Sequence, residues 1–322
     1  MKSVVLQNQI LRSKFLKCTR SFLEESGFLE VDTPILKPIV GMEPYLDPFL
    51  VSSPNSKERG YLITSPEYSL KQSLSQGLER IYEITHTFRS GEEGSPYHSA
   101  EFLMLELYAK DWNDRNLRKF IKNYFKRLGS DFSDLPTSKF LTEDSSYEEI
   151  SVEDIIKTHT SRGLSREELI ETVIIHHLSS VKQEELVTWQ YEDLFFLVFL
   201  NLVEPKLGDK IVFLYDYPPE CAALARIVDG KAKRFEIYWS GLELANAFWE
   251  LTDAEEQRNR FTEEQMLREK LSKEIFPLDE DFLSALESGN FPDSSGISLG
   301  LDRIFMRLSG GDGLKGFSPY FA

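Results

Sequence analysis

The sequence has few cysteines and no long apolar run. Its 322 residues include two cysteines, Cys18 and Cys221, without metal-like spacing, which argues against a disulfide framework or a zinc site. The longest apolar run, LFFLVFLNLV at 194–203, is too short to cross a bilayer. The start, MKSVVLQNQILRSKF, lacks the apolar core of a signal peptide. We therefore expect a cytoplasmic protein with no membrane partner.

Basic residues are outnumbered, with 37 Lys and Arg against 53 Asp and Glu and a formal net charge of −16. Non-specific binding of nucleic acid depends on clustered Lys and Arg, so it is not expected here. A cationic small molecule or side chain is a better match for this charge. The chain also lacks a nucleophile elbow, a P-loop and a zinc motif, so no protein nucleophile is predicted.

Strand patterns occupy both ends of the chain and flank a helical stretch. Residues 6–26 have helical periodicity, residues 38–60 have the Pro and Gly content of a long loop, and residues 111–205 are mostly helical. A further helix is predicted to start at Pro66, with Ser65 as its cap. The alternating segments on either side predict an α+β fold, an antiparallel β-sheet flanked by helices.

The most charged segment is FRSGEEGSPYHSAEFLMLELY, residues 88–108, which continues an alternating strand pattern. Alternation places Arg89 with Glu83 and two threonines on a polar face, which we expect to face water or a charged ligand. An arginine beside a Gly-containing acidic loop suits bidentate binding of a phosphate or a carboxylate. A cross-strand ion pair with Glu101 or Glu106 explains this segment equally well.

Two further residues could belong to an anion or amine site. Arg303 falls in the first turn of the helix predicted for DRIFMRLSG, where it opposes the helix dipole unless an anion binds there. Taken alone, a solvent-exposed arginine is the simpler explanation. Glu67 in TSPEY could hold an ammonium group, although a carboxylate in the first turn of a helix is common for dipole reasons alone.

The segment RFEIYWSGLELANAFWEL predicts a hairpin with a Ser-Gly turn. Tyr238 would then lie opposite Glu243 and Glu236 opposite Ala245, so the two carboxylates would share one face. They could hold Mg²⁺ between them, or they could simply face water. Glu250 would join that face only if the strand contains a bulge.

The order of three motifs carries a resemblance to a known family. GFLEVDTPIL is similar to motif 1 of the class II aminoacyl-tRNA synthetases, FRSGEEGSPYHSAEFLMLELY to motif 2, and GISLGLDRIFM to motif 3. TSPEY and GLELANAFWELTDAEEQ resemble the lysyl branch. Motif 1 begins near Gly27, which leaves no room for an anticodon-binding OB domain. The chain therefore looks like a truncated lysyl-tRNA-synthetase paralogue of the elongation factor P–(R)-β-lysine ligase family.

The resemblance implies one class II synthetase-like catalytic domain over 1–322, with a helical insertion at roughly 111–205. It implies that ATP activates lysine or β-lysine as the aminoacyl adenylate, with Mg²⁺, and that a lysine side chain of elongation factor P receives the amino acid. A homodimer is expected, because motif 1 forms the subunit interface in this class. A stand-alone synthetase that charges tRNA and a catalytically silent regulatory paralogue are the alternatives, and the charge counts against tRNA.

The resemblance also implies residue roles. Arg89 would hold the ATP α-phosphate and the amino-acid carboxylate, and Arg303 would face the γ-phosphate. The other implied residues are Glu92 or Glu93 at adenine, Ser99, Leu244 and Gly300 near ATP, Glu236 and Glu243 for Mg²⁺ with Glu243 also at ATP, Ser65 and Glu67 for the α-amino group, and Tyr108 and Glu250 for the side-chain ammonium.

Three residues depart from the family pattern. Ser298 stands where lysyl synthetases tend to have Gly and their paralogues Ala, and Ala247 and Trp249 also differ from the usual residues. Because these positions are expected to border the amino-acid pocket, the departures leave the exact cationic amino acid open.

Overall fold

The structure is a computed structural model that describes residues 4–92 and 94–317. The chain forms two compact units, which we call the first unit (Met1–Thr142 with Glu250–Ala322) and the second unit (Glu143–Trp249). No helix in the described part of the chain combines the length and the apolar content that a bilayer crossing requires.

The helices and strands follow one another along both units. The helices are α1 (Val4–Glu25), α2 (Glu67–Ser75), α3 (Asp114–Asp131), α4 (Ser138–Thr142), α5 (Val152–Thr160), α6 (Arg166–Ile175), α7 (Gln183–Leu186), α8 (Tyr191–Val198), α9 (Ala254–Lys270), α10 (Glu280–Glu287) and α11 (Leu301–Leu308). The strands are β1 (Leu29–Glu30), β2 (Leu36–Lys37), β3 (Leu50–Ser52), β4 (Arg59–Leu62), β5 (Arg80–Phe88), β6 (Glu101–Lys110), β7 (Tyr147–Ser151), β8 (Ile211–Tyr217), β9 (Ile227–Val228), β10 (Lys231–Trp239), β11 (Leu242–Trp249) and β12 (Ser294–Gly300).

In the first unit, four strands pair in the order β1–β5–β6–β12. β1 runs parallel to β5, and the other two pairs are antiparallel, with Glu106 opposite Glu83 on one side and opposite Ser298 on the other. The helices α2 and α11 pack against β6. The predicted α+β arrangement, a largely antiparallel sheet with helices against it, is therefore confirmed.

The polar face of β5 was predicted to meet water or a charged ligand, and exposure to water is not what the structure shows at Glu83. Glu83 is buried, and its carboxylate accepts hydrogen bonds from the Thr33 backbone N–H at 3.1 Å and the Thr33 hydroxyl at 2.8 Å. Ile84 and Phe88, on the opposite face, are half-buried. Alternation identifies the two faces of a strand, but what packs on each face decides which one is buried.

Two local predictions also need correction. The stretch 38–60, predicted as a long loop, contains β3 and the start of β4, which pair antiparallel in a small sheet of order β2–β4–β3. Ser65 does not cap α2, because Pro66 occupies the cap position and no side-chain cap bond forms there in the described structure. Pro66 was expected one position further into the helix.

In the second unit, strands pair in the order β11–β10–β8–β7, with β9 against β10. Side chains from α5, α6 and α8 form its core with β8, including Ile156, Leu169, Phe195 and Leu214. Each such side chain contributes roughly 1.5–3 kcal/mol when it is fully buried. The stretch 111–205, predicted to be mostly helical, also contains β7, and its α3 and α4 lie in the first unit.

A buried ion pair joins α1 to the start of α11. Arg12 Nη1 lies 2.5 Å from Asp302 Oδ1, and both side chains are almost fully buried. Asp302 Oδ2 also accepts a hydrogen bond from the Leu103 backbone N–H on β6 at 2.8 Å. The first turn of α11, which carries Arg303, is thereby fixed to two other elements of the first unit.

We expect Arg12→Met to lower the free energy of unfolding by about 3 kcal/mol, because it leaves the Asp302 charge buried without its partner. Urea unfolding followed by circular dichroism measures this loss. The double variant Arg12→Met/Asp302→Asn should recover part of it, since both charges are then absent. A single variant as stable as the wild type would show that the pair contributes little.

Candidate active site

Arg89 stands where β5 ends and the chain enters residues 89–100, which we call the acidic loop. Its backbone N–H donates to the Ala100 carbonyl at 3.0 Å, and its guanidinium carbon lies 5.2 Å from the centre of the Phe102 ring. The Arg89 Nε is buried and has no hydrogen-bond acceptor in the described structure. An unpaired buried N–H of this kind costs free energy, which favours an anionic ligand at this position.

No ion pair between Arg89 and either Glu101 or Glu106 is observed among the described residues. Glu101 instead lies 2.7 Å from the ring nitrogen of His86. Glu106 accepts hydrogen bonds from the hydroxyl groups of Tyr108 and Ser298. The arrangement therefore favours the anion-binding interpretation of Arg89.

Arg303 reaches the acidic loop from α11, where its Nε donates to the Tyr97 carbonyl at 3.1 Å. Burial lowers the pKa of His98, and the guanidinium groups of Arg303 and Arg89 lower it further. The Glu92 carboxylate, 3.3 Å from His98 Nε2, acts in the opposite direction. Arg303 therefore contacts the loop that Arg89 begins, and both arginines act on the same imidazole.

Other predicted nucleotide residues of the first unit lie at the ends of these segments. Ser99 is half-buried near the end of the acidic loop. Gly300 occupies the cap position of α11 and pairs with Met104 of β6. Glu93 lies outside the described residues, so the choice between Glu92 and Glu93 at the adenine edge stays a prediction.

A buried arginine from α9 anchors the start of the acidic loop. Arg268 is 1% exposed and donates to the Glu43 carbonyl at 3.0 Å and to the Asp47 carboxylate at 3.2 Å. The Asp47 carbonyl in turn accepts the backbone N–H of Ser90 at 2.7 Å. The residue after Arg89 is thus tied to a segment that Arg268 holds, which restricts the position of the Arg89 backbone.

A second group of buried charges lies in the first unit. Lys71 Nζ lies 2.6 Å from Glu67 Oε1 and 2.7 Å from Glu250 Oε2, and Glu106 accepts a hydrogen bond from Tyr108 at 2.6 Å. What we call the carboxylate cluster consists of Glu67, Lys71, Glu106, Tyr108, Glu250 and Ser298. It brings together four of the five predicted substrate residues, and the fifth, Ser65, is half-buried two positions before Glu67.

Glu106 is a cluster carboxylate whose pKa lies far above its usual range. Burial raises its pKa to about 8, and the neighbouring Glu67 carboxylate adds to the rise. Hydrogen bonds from Ser298 and Tyr108 and the charge of Lys71 favour the ionised form, but they do not offset the burial. A further ammonium group in the cluster would favour ionisation of Glu106, so the cluster suits a ligand with positive charge.

Gly296 allows the cluster to pack against β12. It pairs directly with Tyr108 of β6, and a Cβ atom at this position would lie 2.1 Å from the Tyr108 ring and 2.8 Å from Glu250 Oε1. Contacts this short would displace both side chains. Any residue larger than glycine here would therefore rearrange the cluster.

The three departures from the family pattern have different surroundings. Ser298 belongs to the cluster and donates to Glu106. Ala247 is fully buried in β11 of the second unit. The Trp249 ring lies 4.4 Å from the guanidinium carbon of Arg226 in the same unit. Ser298 is thus the departure with a direct bond to a buried carboxylate.

The strands β10 and β11 of the second unit carry Glu236 and Glu243. Tyr238 lies opposite Glu243, as predicted, but Glu236 lies opposite Asn246 rather than Ala245. The register shifts because β11 has one extra residue, a β-bulge, between Glu243 and Ala245. Leu244 is that extra residue and is buried. The bulge is the irregularity on which the predicted placement of Glu250 depends.

Glu236 already accepts three hydrogen bonds within the second unit. The hydroxyl groups of Tyr217 and Tyr238 each donate to Oε2 at 2.6 Å, and the Arg234 guanidinium donates to Oε1. A divalent cation at Oε1 would meet the charge of Arg234, so Glu236 fits Mg²⁺ poorly in this arrangement. Within residues 4–92 and 94–317, no group of three or more His, Cys, Asp or Glu is arranged to hold a metal ion.

The sequence interpretation did not include Glu106 or Lys71 among the site residues. Glu106 lies two positions before Tyr108 on β6, so strand alternation could have placed both on one face. Lys71 lies one helical turn after Glu67, so the i,i+4 spacing was visible. No local pattern connects Lys71 with Glu250, because these residues are far apart in the sequence.

The fold, the two arginines beside one loop and the buried carboxylates are features of a domain that activates an amino acid with a nucleotide. The family described as tRNA synthetases class II (D, K and N) matches residues 1–320. The chain belongs to this class II tRNA synthetase family, in its lysyl-type branch of elongation factor P–(R)-β-lysine ligases. The resemblance predicted from the motifs is therefore confirmed.

Curated relatives match the chain over nearly its whole length. The elongation factor P–(R)-β-lysine ligase of Haemophilus influenzae is 33% identical over 312 residues, which cover 94% of this chain and 91% of that protein. The ligase of the same name from Avibacterium paragallinarum is 36% identical with the same coverage. That of Edwardsiella ictaluri is 35% identical over 315 residues, again 94% of this chain and 91% of the relative.

Proposed function

We propose that this protein is an ATP-dependent ligase that activates a lysine-like amino acid, in the first instance β-lysine, as its aminoacyl adenylate. It then transfers the amino acid to a lysine side chain of elongation factor P, as the names of its relatives imply. The carboxylate cluster is the observation that carries this proposal, because three buried glutamates with one lysine suit a ligand with two ammonium groups.

The cluster and Arg89 are proposed to serve one substrate. Glu43 is half-buried. After the burial of its carboxylate, the largest effect on its pKa is the upward shift caused by Glu67, while Arg89 acts to lower that pKa. Glu67 and Arg89 therefore both lie close to Glu43. An amino acid could place its ammonium groups in the cluster and its carboxylate against Arg89.

In the first step, a carboxylate oxygen of the amino acid attacks the α-phosphorus of ATP. The bond from this phosphorus to the bridging oxygen of the β-phosphate breaks, and pyrophosphate leaves. Arg89 is proposed to bind the attacking carboxylate and the α-phosphate, and Arg303 the γ-phosphate. Orientation and charge stabilisation by such groups lower the barrier without a protein nucleophile.

In the second step, the neutral ε-amine of the target lysine attacks the carbonyl carbon of the adenylate. An amide bond forms, the nitrogen loses a proton, and the bond to the AMP oxygen breaks. Glu67 and Glu250 are proposed to hold the amino acid in place through its amino groups during both steps. The cytoplasm, where elongation factors act, is the proposed location.

Residues of each unit are proposed to contact the nucleotide. Glu92, Ser99 and Gly300 are proposed for the first unit, and Glu243 and Leu244 for the second. Mg²⁺ accompanies ATP in reactions of this class, where it neutralises phosphate charge. Given the donors on Glu236, Glu243 is the better candidate to hold it, and no step is assigned to the metal.

ATP–pyrophosphate exchange with α-lysine, both β-lysine enantiomers and ornithine tests the proposal. We expect exchange with at least one of these diamino acids, and mass spectrometry should then show its addition to one lysine of elongation factor P. Charging of lysine tRNA without modification of the factor would support the tRNA synthetase alternative. No exchange with any of the four would support the silent paralogue.

A homodimer through the motif 1 region is also proposed. Residues 29–51 expose several large apolar side chains, with Leu29 at 54%, Leu36 at 50% and Tyr45 at 55% of full exposure. All three residues of β3 are exposed as well. Several large exposed apolar side chains in one region are typical of a protein interface.

We expect a dimer at micromolar concentration and a monomer for Leu36→Asp/Leu50→Asp, because buried charges would disrupt an apolar interface. Size-exclusion chromatography with light scattering gives the mass of each. Ile175→Asp is a matched control, since Ile175 is equally exposed but belongs to the second unit. A monomeric wild type would contradict the proposal.

A further inference from the structure

Lys71 is a buried cation to which the reaction described above assigns no role. It is 1% exposed, and its ammonium group lies 5.8 Å from the ring centres of both Tyr108 and Phe282. Burial alone would lower the pKa of Lys71, but Glu250 and Glu67 outweigh that effect and raise the pKa. Lys71 is therefore charged at neutral pH and balanced by two carboxylates.

The two partners of Lys71 come from distant parts of the chain. Glu67 lies one turn earlier on α2, so helix geometry brings it within reach. Glu250 lies shortly before α9, and its backbone N–H donates to the Ser294 carbonyl at 2.9 Å. Lys71 is thus a direct ionic link between these two carboxylates, both of which are proposed to bind substrate amines.

We propose that Lys71 is a positioning residue for the amino-acid substrate, a proposal that rests on the function proposed above. Its ammonium group, 2.6 Å from Glu67 Oε1 and 2.7 Å from Glu250 Oε2, orients both carboxylates before the substrate binds. It also sets the charge of the cluster, because three ionised glutamates and one lysine leave two negative charges once the substrate binds and Glu106 loses its proton. A diamino acid supplies two ammonium groups that neutralise these two charges, while Arg89 is proposed to bind its carboxylate.

Removal of the Lys71 charge would increase the number of protons that the cluster carboxylates bind at neutral pH. The groups that face this charge are Glu67 on α2, Glu106 and Tyr108 on β6, and Glu250 before α9. Beyond them, Glu43 is influenced by the charges of both Glu67 and Arg89. Without an internal cation, carboxylates so close together retain protons at neutral pH. The substrate would then have to displace those protons in order to bind.

Lys71→Met tests the proposal, because methionine keeps most of the side-chain length and removes the charge. Isothermal titration with β-lysine near neutral pH, in buffers of different ionisation enthalpy, counts the protons released on binding. We expect the variant to release about one proton more than the wild type. Its Kd should rise about 10-fold or more, and its KM for the amino acid should rise with little change in the KM for ATP.

Lys37→Met is the matched control. Lys37 also contacts α2, through the Ser69 hydroxyl at 3.0 Å, but lies outside the cluster, so its removal should change neither quantity. If Lys71→Met binds with the affinity and proton count of the wild type, the positioning role is overturned while wild-type exchange still supports the proposed function. If the wild type itself binds none of the four diamino acids, both proposals fail.

Two further variants cover the case in which Lys71→Met does not fold. Lys71→Gln is neutral but can still donate hydrogen bonds, and it should reproduce the extra proton release. Lys71→Arg keeps the charge and should retain the proton count of the wild type. The opposite pattern, with an unchanged count in Lys71→Gln, would show that Lys71 serves packing and hydrogen bonding rather than charge.

Discussion

Arg89→Ala is expected to reduce ATP–pyrophosphate exchange by about 10³-fold, because one guanidinium is proposed to stabilise both the attacking carboxylate and the α-phosphate. The variant should remain folded, since Arg89 forms no ion pair with Glu101 or Glu106 in the described structure. The substitution also removes the buried Arg89 Nε, which has no hydrogen-bond acceptor in the described structure, so no buried hydrogen bond of this atom is lost. Exchange rates measured at saturating ATP and amino acid give the size of the effect.

Arg80→Ala is the matched control for this variant. Arg80 begins the same strand, is exposed, and stacks on the Trp112 ring at 5.3 Å, away from the acidic loop. It should retain wild-type exchange. Arg89→Lys keeps a charge but not the bidentate geometry, so an intermediate rate is expected. If Arg89→Ala stayed active with an unchanged melting temperature, Arg89 would not be the phosphate-binding residue.

Glu106→Gln is expected to raise the KM for the amino acid by roughly 100-fold, because loss of a buried partner to an ammonium group costs about 3 kcal/mol. In the wild type, the raised pKa keeps Glu106 protonated below about pH 8 and ionised above it. Amino-acid binding should therefore strengthen as the pH rises through this value. The variant has no group to ionise here and should lose that dependence.

Steady-state exchange over a pH range on both sides of the Glu106 pKa checks this prediction. Glu101→Gln is the control on the same strand, since Glu101 is half-buried, pairs with His86 and lies outside the cluster. It should keep the pH dependence of the wild type. A wild-type KM that does not change with pH, or a Glu106→Gln profile that still does, would exclude Glu106 as the titrating ligand.

Local periodicity predicted the elements whose side chains repeat clearly. α1 and α11 lie where the patterns placed them, and β6 falls in the alternating segment around residues 88–108. β3 has three residues, too few to show a period, and was included in a predicted loop. The burial of Glu83 could not be predicted, because alternation does not show that Thr33 lies against that face.

Only the site residues that lie within sequence motifs could be predicted. Motif order predicted roles for Arg89 and Arg303, and the structure places Arg303 in contact with the acidic loop that begins at Arg89. The hairpin register at Glu236 was wrong, because a bulge shifts the pairing by one residue and no sequence period marks it. The donors that occupy Glu236 come partly from β8, so the hairpin sequence did not reveal them.

The sequence by itself determined the family, the α+β arrangement and the arginines and glutamates available for chemistry, because motifs and side-chain periods are properties of continuous segments. Only the tertiary structure decided how those charges are balanced. Lys71 is paired with Glu250, and Ser298 is bonded to Glu106, through contacts between segments far apart in the chain. Burial and pairing together set the charge of a buried group, and both depend on neighbours that the chain brings together only when it folds.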